Sequence, residues 1–113
     1  MYTDKNDIEE YPYEGTFYTI TIDTTKPLEE RVEEEVVVLA TECDIQESQK
    51  RLSDTLVATF AVYFPFDKES GIVITRGMKF RGDIYGLDVD GEVGSVAPSQ
   101  MGGCVAYIID IDV

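Results

Sequence analysis

The stretch Asp88-Val89-Asp90-Gly91-Glu92 is the densest grouping of potential metal ligands in the chain, because alternating carboxylates ahead of a glycine are how calcium loops are built. In the register of an EF-hand, Gly91 takes the sixth place, Asp90 the fifth and Asp88 the third. The first place then falls on Gly86 and the twelfth on Ala97, so two ligands that the ion needs are missing. Asp90-Gly91 reads instead as the tip of a β-hairpin.

Other chemistries fail on residue type. The chain has 23 acidic residues but no histidine and no tryptophan. Carboxylate pairs suited to glycoside hydrolysis are available by number alone, without the tryptophan that commonly lines such clefts. Serine and cysteine lack their usual base, and no G-x-S-x-G is present. The glycines show no phosphate-binding spacing. Cys43 and Cys104, without histidine or further cysteine, cannot complete a zinc site and read as reduced, half-buried thiols. The expectation is a non-enzymatic protein with no catalytic, cofactor-binding or metal residue and no cofactor.

Charge restricts the partners. The formal net charge is −14, and residues 1–47 hold 14 acids against 3 bases. Nucleic-acid binding rests on cations that displace counterions from phosphates, so this chain would be repelled by DNA. Anionic membranes are disfavoured for the same reason. The N-terminal residues carry no signal-peptide pattern, and no apolar run is long enough to span a bilayer.

The elements that must carry function read as β. Residues 1–14 form an acidic arm with interleaved aromatics, and residues 15–113 form one barrel-like domain. Thr16–Asp23 alternates with Tyr18, Ile20 and Ile22 on one face. Residues 24–34 are the one helical candidate, with Pro27 suited to a first turn and Leu28 and Val32 four apart. Val36–Ala40 is an apolar run typical of a strand covered on both faces. Residues 43–54 read as a connection, and Thr55–Phe64 as the strongest strand, ended by Pro65. Short strands follow at 71–75 and 78–86, then the hairpin, a loop at 97–103 and a closing strand from Cys104. The expectation is an all-β barrel or sandwich of about seven strands with at most one short helix.

Three groups of side chains are candidates for interfaces. Arg76, Lys79 and Arg81 gather a third of the positive charge, and Lys79 and Arg81 share strand parity. Tyr63, Phe64 and Phe66 cluster where a strand leaves the sheet. Tyr11 and Tyr13 could anchor the arm on a neighbouring subunit.

The order ECDIQES (42–48), TLVATFAVYFPFD (55–67), IVITRGMKFRGDIYGLDVDGEVGSV (72–96) and CVAYIIDIDV (104–113) resembles the head-closure or head–tail joining proteins of tailed phages. Ile74-Thr75-Arg76-Gly77-Met78-Lys79-Phe80 and Gly82-Asp83-Ile84-Tyr85 stand where that family has its I-x-R-G-x-x-F and G-D segments. The resemblance implies a small β-barrel that stacks as a ring in the connector and belongs to the virion after assembly in the host cytoplasm. Its partners would be copies of itself, the portal or adaptor, and tail-side neck proteins. DNA would pass without specific binding, helped by a negative channel wall. The alternative is a small acidic inhibitor that mimics DNA and blocks a host nucleic-acid enzyme.

Overall fold

A computed structural model of the chain describes residues 11–65, 68–98 and 103–109. Six strands are present among them: β1 (Tyr13–Ile22), β2 (Glu33–Glu47), β3 (Phe60–Phe64), β4 (Lys79–Ile84), β5 (Leu87–Pro98) and β6 (Cys104–Ile109). All pair antiparallel and close on themselves in the order β1-β2-β3-β6-β5-β4. Of the all-β barrel or sandwich of about seven strands expected from the alternation, the barrel forms, with six strands among the described residues.

Closure follows from the period-two pattern. Phe17 on β1, Cys43 and Ile45 on β2, Val62 and Phe64 on β3, Phe80 on β4, Val93 on β5 and Ala106 and Ile108 on β6 all point inward and are buried. Phe17 lies at the centre, its ring centroid 5.0 Å from those of both Phe64 and Phe80, with the rings tilted as aromatic quadrupoles prefer.

The local departures from the sequence expectation have physical causes. Asp90-Gly91 does not turn the chain. The β4–β5 hairpin turns at Tyr85-Gly86, where both residues have positive φ (53° and 87°) and the Asp83 carboxylate accepts the Gly86 N–H at 2.6 Å. Gly91 sits inside β5 because a Cβ there would strike Ile108 Cγ2 and lie 2.5 Å from the Ile109 carbonyl oxygen. Residues 71–75 form no strand, and Ile74 fills the core from an irregular segment. The segment 24–34 is not an α-helix: a single 3-10 turn, Leu28–Glu30, is followed directly by β2. A second such turn spans Lys68–Ser70. β2 runs on to Glu47 through part of the expected connection, whereas 55–59 holds only an isolated bridge, Arg51 to Val57. The Val36–Ala40 run is not covered on both faces, since Val36 and Val37 are exposed.

β1 and β2 outrun the barrel. β4 pairs with β1 only as far as Tyr18, and β3 pairs with β2 only from Asp44. The pairing of β1 with β2 nevertheless continues to Ile22 opposite Glu33. Thr19–Ile22 and Glu33–Val36 therefore leave the wall as a two-stranded ribbon, and residues 20–37 are all exposed.

Candidate functional site

An isolated two-stranded ribbon is marginal in water, so something other than a core must order this one. Its turn supplies the order. The Asp23 carboxylate accepts the Thr25 N–H (2.9 Å) and the Thr25 hydroxyl (2.5 Å), which holds Asp23 below the usual carboxylate range. The Arg31 guanidinium donates back to the Lys26 carbonyl (3.0 Å) and the Thr24 carbonyl (3.1 Å). At the ribbon's base, Arg81 reaches over from β4 to both carboxylate oxygens of Glu35 at 2.9 Å and stacks on the Tyr18 ring, 4.7 Å from its centroid. The result is a fixed projection carrying Ile20, Ile22, Leu28, Val32, Val36 and Val37, all exposed, with Leu28 77% accessible. Exposed apolar side chains gathered on one projection make it a candidate interaction surface.

Sequence reasoning missed this ribbon. Leu28 and Val32, four apart behind Pro27, imitate a helical turn. The available signal was the pair of β-branched runs flanking a polar segment, which also fits a hairpin with a long loop.

The basic cluster is divided. Lys79 bonds Glu92 at 2.9 Å, directly across the β4–β5 ladder. Arg81 is held by Glu35 and Tyr18, and the Glu35 contact first of all raises its pKa. Arg76, exposed in the turn between Thr75 and Met78, makes no ion pair among the described residues. Among the described residues, Arg76 is the one of the three that can meet another molecule without breaking an ion pair.

The aromatic candidates also separate. Phe64 is 2% exposed and packs on Phe17, so it is a core residue rather than an interface anchor, as the inward parity of β3 requires. Tyr63, the next outward residue, is half-buried opposite Asp44. Phe66 lies outside the described residues. Tyr13 and Glu14 belong to β1 instead of the arm. Tyr13 meets Tyr85 edge-on at 5.6 Å, and a hydrogen bond with Tyr85 raises its pKa. Tyr11 is half-buried just ahead of β1.

The outer wall bears a row of carboxylates that only the register reveals. Glu42, Glu14, Asp83 and Asp88 lie directly opposite one another across β2, β1, β4 and β5, and all four are exposed. Asp88 and Asp90 occupy successive outward positions of β5, with Asp90 opposite Arg81, so the calcium-loop register has no loop to occupy.

On the flank beside β2, beyond its pairing with β3, an apolar recess of about 430 Å³ opens between Leu39, Phe64, Ile72, Val73, Val96 and Cys104. Cys104 is half-buried at its wall, and burial raises its thiol pKa. Cys43 is fully buried, and burial, then Asp44 and Glu14, push it up to about 12. Both cysteines are free thiols.

Comparison of the chain with known protein families, with curated proteins and with solved structures yields no match.

Proposed function

We propose that the chain is a non-enzymatic structural protein of a phage or prophage, forming a ring in the connector between head and tail. The observation that carries this reading is the β1–β2 ribbon: eighteen consecutive exposed residues, 20–37, ordered by their own hydrogen bonds and rich in uncovered aliphatic side chains. A monomer gains nothing from holding such a surface out in water, whereas a subunit uses it against a neighbour. The closed barrel supplies a rigid body from which the ribbon reaches out.

The outer charge supports the same reading. A row of four carboxylates facing a duplex neutralises no phosphates and leaves the DNA free to slide. The resemblance of residues 35–113 to head–tail joining proteins adds the setting, with portal or adaptor and tail-side neck proteins as neighbours.

The test is genetic and structural. Deleting the gene from the phage or prophage that encodes it should leave DNA-filled heads and separate tails, which purified protein joins in vitro. The purified chain should give a closed oligomer by native mass spectrometry. Infectious particles from the deletion strain would remove the connector reading. Inhibition of a host nucleic-acid enzyme by the purified chain would favour the DNA-mimic alternative.

A further inference from the structure

The recess beside β2 is lined mainly by apolar side chains, and the ribbon tip holds out two exposed aliphatic ones, Leu28 and Val32. We propose that the recess of one copy receives the ribbon tip of the next, with Leu28 and Val32 as the anchoring side chains. This inference rests on the ring reading above and names the contact that would build the ring.

The tip is organised in advance. Residues 23–32 touch no core, yet the Asp23–Thr25 bonds, the two Arg31 bonds and the Glu30 N–H to Pro27 carbonyl bond (2.9 Å) fix their course. Leu28 and Val32, at 77% and 69% exposure, are thereby held out at little further entropic cost on binding. The recess offers what those side chains lack, an aliphatic and aromatic lining from Leu39, Ile72, Val73, Val96 and Phe64.

No residue of the ribbon lines the recess of its own molecule: its strands continue past Tyr18 and Val37 for four residue pairs, roughly 13 Å of extended chain, whereas the β2 residues that line the recess are Leu39 and Thr41. Charge then selects the partner. Glu29, Glu30, Glu33 and Glu34 surround the apolar tip. Arg76, exposed and without an ion pair among the described residues, follows Ile74 of the recess wall by two residues. An acidic tip meeting that arginine orients the insertion and disfavours the reverse pairing of tip with tip.

Tip and recess are different surfaces of one molecule, so the contact is heterologous. Each bound copy leaves its own tip and recess for the next, and such a chain of contacts closes into a ring when the rotation permits.

The native Cys104 in the recess wall provides a site-specific test. Full-length Leu28→Cys protein, oxidised mildly with diamide, should form a ladder of disulfide-linked chains. The ladder should vanish when Cys104→Ser is added and should be absent for Asp54→Cys, an exposed position away from the tip. Cys43 is buried and does not compete. Leu28→Asp should raise the dissociation constant for self-association by roughly thirtyfold, the loss typical of a central anchor. Arg76→Glu should weaken assembly, and Glu29→Lys with Glu30→Lys should restore it. Rings that form undiminished with Leu28→Asp and give no Cys104 crosslink overturn this contact while leaving the ring reading intact. A chain monomeric at every concentration overturns both. A hydrophobic dye that enters the recess equally in monomer and oligomer also overturns the contact, since an occupied recess excludes it.

Discussion

Asp83 stands directly opposite Asp88 across the β4–β5 ladder, both pointing into water, with Glu14 and then Glu42 continuing the row on the other side of Asp83. Facing residues in an antiparallel pair have Cβ atoms only about 5 Å apart, and like charges at that spacing oppose the pairing. Asp83 is tied to the turn through the Gly86 N–H, whereas Asp88 has no such duty. Asp88→Lys should therefore stabilise the barrel by about 0.5 kcal/mol at low salt. Denaturant melts should show the gain shrinking at high salt, where the original repulsion is screened. A salt-independent gain would point to side-chain propensity instead.

Two glycines in the same hairpin should respond to alanine for different reasons. Gly86 has φ 87° and nothing within 4 Å of a Cβ, so Gly86→Ala costs only the left-handed backbone, roughly 1 kcal/mol. At Gly91 the added carbon meets the Ile109 carbonyl oxygen at 2.5 Å, and backbone cannot swing aside as a side chain can. Gly91→Ala should cost more than about 2 kcal/mol, the range of overpacking in a well-filled core. Equal losses at the two sites in chemical denaturation would refute the assignment of Gly91 to the barrel interior.

The buried Cys43 thiol makes stability pH-dependent on the alkaline side. Its folded pKa is raised to about 12, above the ordinary value near 9, so the native state keeps a proton that the unfolded chain gives up. Stability from this source is full below about pH 9 and falls as pH rises from there toward 12, because the unfolded state binds fewer protons in that window. Cys43→Ala should flatten the decline relative to the parent chain, even though it costs core volume at neutral pH. Thiol titration should agree: Cys104 reacts slowly in the native protein, and Cys43 only after denaturation.

The alternation of β4 was legible because the strand buries one face against a single core. Phe80, between Lys79 and Arg81, announces its inward parity through its charged neighbours. Asp90-Gly91 misled because a turn signal and a close-approach glycine look alike until Ile108 and Ile109 are known to cross above it. The carboxylate row was invisible for a related reason. Glu14, Glu42, Asp83 and Asp88 are distant in sequence, and only the register sets them side by side. Thr16–Asp23 was legible as a strand, but its departure from the barrel escaped because the alternation of Ile20 and Ile22 does not say whether a core covers them, and residues 20–37 are exposed.

Charge reversals within the basic cluster should separate folding from assembly. Lys79→Glu sets a second carboxylate against Glu92, which already lies opposite at 2.9 Å, and should lower stability by about 1 kcal/mol. Arg76→Glu breaks no bond among the described residues and should leave the thermal midpoint of the monomer unchanged. Assembly should show the opposite order, with Arg76→Glu the more damaging per unit of lost stability. If both reversals impair assembly only in proportion to folding, Arg76 has no role outside its own chain.

Excising the ribbon gives the sharpest separation of barrel from function. Ile20 lies directly opposite Glu35, so residues 21–34 can be replaced by Asn-Gly, a two-residue turn suited to that geometry. Every excised residue is exposed, and the core around Phe17, Phe64 and Phe80 lies wholly outside the cut. Shortening the connection between β1 and β2 also lowers the entropy lost on closing it, a gain of roughly 1–2 kcal/mol. The shortened chain should therefore melt at or slightly above the midpoint of the parent. It should remain monomeric where the parent forms closed oligomers, and it should fail to join heads to tails. Unfolding on excision would mean that the ribbon supports the barrel. Oligomers of unchanged size would mean that subunits meet elsewhere on the wall, and the exposed aliphatic side chains from Ile20 to Val37 would then belong to a contact with a different protein.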